Sequence, residues 1–432
     1  MSRLQAIRGM NDILPDQSPL WRHIEDAFRA TAEAFGYREI RFPLLEQTRL
    51  FRRSIGEVTD IVEKEMYSFA DSGGDDISLR PEGTAGCVRA ARQHGLLHNR
   101  QQRLWYQGPM FRRERPQKGR YRQFHQFGVE AFGMAGPDID AEIIELSQAL
   151  WRRLGLAGAL TLELNNIGSA EDRKRYSAVL SEYLAARAEE IDPAARARIH
   201  SNPLRVLDSK HPGTREVAQE APVLASHLSP ESVAHYTALK GLLKAAGIRH
   251  VENPALVRGL DYYNYCVFEW TTDALGAQGA VCGGGRYDGL VAQLGGRPSP
   301  AAGFAIGVER LALLLETLGK IPSKARYRAD ICIVAVGDGI TAAAQALARD
   351  LRERHPALSV VCQCGGGKYA QQVKRAFELN TRLVVVLEQP PDGPPREVRL
   401  RKLEDGFQPV TATLEDCPKE VFRLLNETEG ML

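Results

Sequence analysis

Apolar residues near the start of the chain recur at alternating steps of three and four. Trp21, Ile24, Phe28, Thr31 and Phe35 keep that spacing, Ser18-Pro19 ahead of them suits an N-cap and first helical proline, and Gly36 supplies a stop. An amphipathic helix is expected here. The period then shortens to two over residues 37–42, a strand that carries Ile40, Phe42 and Leu44 on one face. Pro43 cannot donate to a ladder and belongs at a strand end, an edge or a subunit contact. Around Ser78-Leu79 a short strand leads through a turn punctuated by Pro81 and Gly83 into a helix starting near Thr84. Glu82 and Thr84 then lie at a helix N-terminus, where a capping turn is the plainest role. Residues 104–107 and 124–129 alternate again and read as antiparallel strands joined by a long loop. Pro137-Asp138 opens a helix with the stripe Ile139, Ile143, Leu146 and Leu150, and Leu160, Leu162 and Leu164 alternate as a strand.

The pattern changes over residues 168–251. Ala, Arg and Glu dominate, prolines interrupt at 193, 203, 212, 222 and 230, and the stretch reads as several short helices without strands, an inserted module. Strand character returns over 262–270, followed by the glycine-rich run from Gly279 to Leu290, where backbone can approach a ligand or turn tightly. The triplet Gly283-Gly284-Gly285 fits neither a dinucleotide fingerprint nor a phosphate loop ending in Gly-Lys-Ser/Thr. Residues 301–311 read as a small-residue strand turning directly into a helix with Arg310 in its first turn. A cation is unfavourable there, so a bound anion or a carboxylate should compensate it. Beyond a basic linker at 321–328 the pattern alternates: strand 331–336, helix 342–354, strand 358–362, helix 368–379 and strand 383–387. That order predicts a small parallel-centred α/β domain with right-handed crossovers.

Charge is distributed unevenly. From Phe111 to Arg122 six Lys or Arg stand against one Glu, so this loop is +5 while the 432-residue chain is only +2, leaving about −3 for the rest. Alone, such a loop reads as a solvated hairpin tip. Its arginines nevertheless suit a polyphosphate, since a guanidinium offers paired donors that match phosphate oxygens. The chain is long enough for two or three domains, and 44% apolar with 25% charged residues describes an ordinary soluble protein. No apolar run reaches membrane-spanning length, and Met1-Ser2-Arg3-Leu4 lacks the apolar core of a secretion signal. The seven cysteines are scattered. Cys362-Gln363-Cys364 is the only close pair, with no second pair to complete a zinc site, so reduced thiols in a cytoplasmic protein are expected.

Five motifs in order carry a resemblance. Arg41-Phe42-Pro43, the run from Phe111-Arg112 to Gln126, and Gly307-Val308-Glu309-Arg310 resemble the three motifs of class II aminoacyl-tRNA synthetases. Leu256-Val257-Arg258-Gly259-Leu260-Asp261-Tyr262-Tyr263 and Gly283-Gly284-Gly285-Arg286-Tyr287-Asp288 resemble those of the histidyl-tRNA synthetase family, and the likeness spans essentially the whole chain. The fold it implies is an α+β catalytic domain on a mostly antiparallel sheet (residues 1–167 and 252–320). A helical insertion (168–251), the linker 321–328 and a C-terminal α/β anticodon-binding-like domain (329–432) complete it. The activity implied is ATP-dependent ligation of L-histidine to tRNA(His) through a histidyl-adenylate, with Mg²⁺, in a cytoplasmic homodimer whose contact includes the first motif.

By the same resemblance Arg112 contacts the α-phosphate, Arg258 the substrate carboxylate and α-phosphate together, and Arg120 and Arg310 the γ-phosphate end, while Phe124 stacks on adenine opposite Arg310. Glu82, Gly83, Thr84 and Gln126 belong to the site for the substrate ammonium group, Glu130 and Tyr263 match the partners of the imidazole nitrogens, and Tyr262 and Tyr287 line that pocket. Gln117 and Lys118 are placed to approach the acceptor end of tRNA, and no metal ligands can be named. Two departures stand out. Arg113 replaces a frequent His, and Tyr265-Cys266 replaces a more usual Arg-Thr, which bears on the packing under Tyr263. A synthetase-like, histidine-sensing regulatory subunit of ATP phosphoribosyltransferase is the alternative, but it would lack the C-terminal domain and erode the phosphate arginines. A plain tRNA-binding module would not need Glu82, Glu130 and the tyrosines.

Overall fold

The computed structural model describes residues 3–56, 59–207, 209, 211–326, 328–390, 393–403 and 406–426. The chain forms two compact units, the first reaching to Ile321 without the short segment Leu14–Pro19, the second comprising that segment and the chain from Pro322 onward. In the first, eight strands make one sheet: β1 (Arg38–Glu39), β2 (Gln102–Phe111), β3 (Gln123–Phe132), β4 (Thr161–Gly168), β5 (Val251–Glu252), β6 (Asn264–Thr271), β7 (Ala280–Arg286) and β8 (Ala301–Gly307), in the order β1-β2-β3-β8-β7-β6-β4-β5. The six inner strands pair antiparallel throughout, whereas the two-residue edge strands β1 and β5 run parallel to their neighbours. The predicted strand over 37–42 is thus only two residues long, with Ile40 adding one further bond to Trp105. Pro43, without an N–H, lies just beyond it.

Side-chain alternation divides this sheet into two faces. One buries Trp105, Phe127, Val129, Phe268, Trp270, Phe304 and Ile306 under the helices Ser18–Ala34, Pro137–Arg153 and Val308–Thr317. The expected stripes supply those helices' inner surfaces: Ile24, Phe28, Ile139, Ile143, Leu146 and Leu150 are all buried. Ser18 is the first helical residue rather than a cap, and its hydroxyl donates back to Leu14 O. The other face carries Tyr106, Met110, Phe132, Val267 and Tyr263, and receives the helix Thr84–Gln93. The glycine-rich run, read from sequence as an approach or turn, forms the central strand β7.

Between β4 and β5 the chain is helical. Tyr176, Leu180, Leu184, Ile191, Val206 and Val217 form a core of their own, while Leu239 and Leu243 of the helix Pro230–Ala245 join the main core of the sheet. The second unit has a five-stranded sheet in the order Val360–Cys362, Ile331–Val336, Leu383–Glu388, Glu397–Arg401, Val410–Thr413. Its first three strands are parallel, as the alternating pattern requires, and the last two are antiparallel. Helices Thr341–Arg354 and Cys417–Asn426 cover one side and Tyr369–Glu378 the other. The final hairpin and helix go beyond what periodicity indicated. Among the described residues no helix is long and apolar enough to cross a membrane.

Candidate active site

The face of the sheet bearing Tyr106 and Tyr263 is floored by small residues. Gly283, Ala305 and Gly307 from β7 and β8 line a cleft whose walls are Arg112, Arg120, Phe124, Gln126, Arg258, Glu269 and Arg310. Space at Gly283 is already taken: a Cβ there would collide with the Arg258 guanidinium. At Gly284 it would collide with main chain, lying 2.8 Å from Phe304 Cα. The triplet is therefore required by a side chain resting on the strand and by close packing within the sheet, and no separate nucleotide loop is present there.

Four arginines from distant segments meet around this floor. Arg112, at the end of β2, donates from Nε to Pro81 O at 2.9 Å and lies 5.3 Å over the Phe124 ring. Arg120 pairs with Glu114 and Arg258 with Glu269, both ion pairs lying within the cleft. Arg310 donates to Gly119 O at 3.1 Å, Ala280 O at 2.6 Å and Gln278 Oε1 at 3.1 Å. Carbonyls, rather than a carboxylate, thus answer its charge in the first helical turn. Burial, followed by the like charges of Arg120 and Arg112, pushes the Arg310 guanidinium pKa down, and burial does the same at Arg112. Clustered, partly desolvated cations of this kind are poised for an anion of several charges.

The basic loop is held from outside the hairpin. Arg122 and Gln123 donate their N–H groups to Gly9 O at 2.7 and 3.2 Å, so the N-terminal segment pins the loop base. Gly9 has φ 87, and a Cβ on it would meet Pro116 Cγ at 2.7 Å. At the tip Gln117 and Arg120 exchange main-chain bonds around Lys118-Gly119, leaving Gln117 and Lys118 exposed.

Deeper on the same face a carboxylate is ringed by hydroxyls. Glu130 is 1% exposed and accepts from Thr84 Oγ1 at 2.7 Å, Tyr106 OH at 3.1 Å and the Tyr287 hydroxyl. Burial pushes its carboxyl up to about 8 against the opposing pull of these donors. Glu82 accepts from Thr84 N at 2.7 Å and Ala85 N at 2.8 Å, so it is the cap expected from sequence. Tyr262, Tyr263 and Tyr287 form one cluster with ring centroids 4.7 to 6.4 Å apart. The Tyr263 hydroxyl is pushed up to about 12, chiefly by burial. Gly83 carries no side chain because Tyr106 fills the space, and the same ring also excludes a Cβ at Gly128.

Besides Glu114 Oε2, which is ion-paired with Arg120, two buried polar atoms in the cleft have no hydrogen-bond partner among the described residues: the donor Arg258 Nε and the acceptor Gln126 Oε1. Their chemistry matches the two ends of a free amino acid, whose carboxylate accepts and whose ammonium donates. All the residues expected to hold histidine or nucleotide thus lie on one sheet face. Gln117 and Lys118 stand apart, at the exposed tip of the loop.

Sequence reading missed three contributors. Tyr106 is a further donor to Glu130, and its only signal was an aromatic residue opposite glycines. Glu269, the one charged residue of β6, is the partner of Arg258. Arg286, 1% exposed, pairs with Asp140 at 2.9 Å and Asp288 at 3.1 Å, and Asp288 in turn accepts from Ala301 N at 2.9 Å. That arginine sits on the opposite face from Glu130 and fixes the end of β7, and with it the neighbouring Tyr287. At the Tyr265-Cys266 departure Tyr265 adopts φ 52 with its ring 5.3 Å from that of His235, while Cys266 is buried in the main core.

Comparison with known proteins agrees with this geometry. The histidyl-tRNA synthetase family model matches residues 9–311. The crystal structure of apo S. aureus histidyl-tRNA synthetase is 33% identical, with a TM-score of 0.80 over 97% of this chain and all of that one. Two more distant structures share the fold. One is an ATP phosphoribosyltransferase regulatory subunit/histidyl-tRNA synthetase from Bacillus halodurans, at 23% identity and TM-score 0.64 over 90% of this chain and all of that one. The other is a histidyl-tRNA synthetase from Nostoc sp. PCC 7120, at 18% identity and TM-score 0.70 over 98% of this chain and all of that one. With its arginine-lined cleft, its hydroxyl-ringed carboxylate and a family match over more than half its length, this chain belongs to the histidyl-tRNA synthetase family.

Proposed function

We propose that this protein ligates L-histidine to tRNA(His), using ATP and passing through a histidyl-adenylate. The observation that carries the reading is the unpartnered pair in the cleft, Arg258 Nε and Gln126 Oε1, set among Arg112, Arg120 and Arg310. In the first step a carboxylate oxygen of histidine bonds to the α-phosphorus of ATP as the bond to the β-phosphate breaks and pyrophosphate leaves. Two anions must meet, so the chemistry calls for charge neutralisation and alignment instead of a protein nucleophile. Arg258 and Arg112 serve the carboxylate and α-phosphate, Arg120 and Arg310 the departing phosphates, and Phe124 the adenine. In the second step a terminal ribose hydroxyl of tRNA attacks the acyl carbon and AMP leaves, with Gln117 and Lys118 near the acceptor end.

Imidazole selection falls to Glu130 and Tyr263, an acceptor and a hydroxyl on the same face as Tyr262 and Tyr287. An analogue lacking the ring nitrogens would leave them unpaired, which is the basis of rejection. Glu82, Gly83, Thr84 and Gln126 surround the ammonium end. Mg²⁺ would be shared with the polyphosphate. Among the described residues no group of three His, Cys, Asp or Glu could hold an ion unaided, whereas Glu114 and Glu269 line the cleft and fit as one or two carboxylate ligands. Bound there, the ion supplies further neutralisation of phosphate charge. A cytoplasmic homodimer, with contact at the first motif, completes the proposal.

Histidine-sensing regulation without tRNA chemistry is the rival reading, since one similar structure is named in part as an ATP phosphoribosyltransferase regulatory subunit. All four cleft arginines and the second unit favour ligation. Histidine-dependent exchange of pyrophosphate into ATP decides between them: a ligase exchanges, and a sensor that binds histidine without exchange overturns the proposal.

A further inference from the structure

The helical module leaves the sheet after Gly168, which has φ 69, and its chain returns at Ser229. The part of the module between these crossings has a core of its own, whereas the helix Pro230–Ala245 that follows packs into the main core of the sheet, so the crossings join the two. One side chain holds both crossings. Asp172 is fully buried and accepts from Ser169 N at 3.0 Å on the entry side. From the return side it accepts from Ser229 N at 3.0 Å, Ser229 Oγ at 3.1 Å and Ser232 Oγ at 2.5 Å. A Cβ at Gly168 would lie 2.7 Å from Asp172 Cβ, so the crossing is packed tightly around this carboxylate.

The next residue reaches into the catalytic face. Arg173 donates from Nη1 to the main-chain carbonyl of Tyr263, within the field of Asp261. Tyr263 lies just ahead of β6, where regular pairing has not begun. The β4–β6 register is broken between Asn166 and Gly168, and Tyr265 has φ 52. A carbonyl at such a break needs a partner from elsewhere, and a half-buried guanidinium supplies it.

We propose that Asp172 and Arg173 form the joint through which the seating of the helical module sets the shape of the histidine pocket. Asp172 keeps the two crossings together, and Arg173 carries their position to the main chain of Tyr263. Both are positioning residues, and their role rests on the histidine-activating function proposed above. Coupling of this kind is reciprocal: histidine bound against Tyr263 must also steady the module.

The test uses the full-length chain with Arg173→Ala, Arg173→Lys and Asp172→Asn. Losing a charged donor to a carbonyl should weaken histidine binding by calorimetry roughly tenfold in Arg173→Ala, with an intermediate loss in Arg173→Lys. The KM for ATP in pyrophosphate exchange should stay within about twofold, because the phosphate arginines are untouched. Saturating histidine should slow tryptic cleavage within the module of the wild type and of Arg173→Lys, but not of Arg173→Ala or Asp172→Asn. Unchanged histidine affinity, a parallel rise in both KM values, or protection that persists in Arg173→Ala would overturn the joint. Should Arg173→Ala fail to fold, Arg173→Lys and Asp172→Asn decide on the same readouts. A wild type that binds histidine without exchange refutes the proposed function and leaves the affinity comparison to judge the joint. A wild type that binds no histidine overturns both.

Discussion

Removing Arg258 gives the most direct measure of the electrostatics. Its side chain is 22% exposed and its partner Glu269 19%, so both sit between bulk water and a dry interior. With an effective dielectric constant of about 20, a unit charge about 4 Å from a reacting anion contributes about 4 kcal/mol. Arg258→Ala should therefore slow adenylate formation by roughly a thousandfold at saturating substrates, while the KM for ATP changes by less than about fivefold. Arg258→Lys keeps the charge but loses the fork, and should recover all but roughly tenfold of the rate. The substitution also leaves Glu269 without its cation, which should lower the melting temperature. Adding Glu269→Gln to Arg258→Ala should restore much of that loss without restoring turnover, separating folding from chemistry. Single-turnover formation of adenylate and thermal unfolding are the two assays. An Arg258→Ala enzyme within tenfold of the wild-type rate would refute the assignment, as would a double variant that regains activity along with its melting temperature.

Glycines on the floor should separate by what they touch. Gly283→Ala pushes on the Arg258 guanidinium and should abolish pyrophosphate exchange with little change in melting temperature, whereas Gly284→Ala meets the main chain of β8 and should lose about 2 kcal/mol or more in urea unfolding. Glu130 links folding to pH. Its folded carboxyl titrates near 8 against a usual 4.5, so its contribution is fully present below about pH 4.5 and is lost as pH rises through 8. Glu130→Gln should flatten the fall in stability across that window, and an unchanged slope in denaturant titrations would remove the claim. Lys118 stands exposed at the loop tip. Lys118→Ala should weaken tRNA binding and reduce the slope of log affinity against log salt by about one, and a wild-type affinity without any slope would exclude contact through phosphates.

Local chemistry made much of this protein legible in one dimension. The stripe from Ile24 to Phe35, the alternation flanking the basic loop and the Ile139–Leu150 spacing each specify an element, because a helix or strand can bury only one face. The cap at Glu82, the strand-to-helix turn before Arg310 and the parallel strands of the second unit were readable for the same reason. The family likeness, carried by short ordered motifs, also belongs to the sequence. Tertiary structure alone decided what those motifs touch. Pairing between neighbouring strands and the packing of the segment ahead of β6 laid Gly283 beneath Arg258, brought Glu269 to its guanidinium and set Tyr106 beside Glu130. Tertiary structure also gave the buried Arg286 to Asp140 and Arg173 to Tyr263. Such contacts depend on register and on the meeting of faces, neither of which periodicity along a single strand records. A lone charge in a partly buried strand shows that a partner must exist, and only the folded sheet says which one it is.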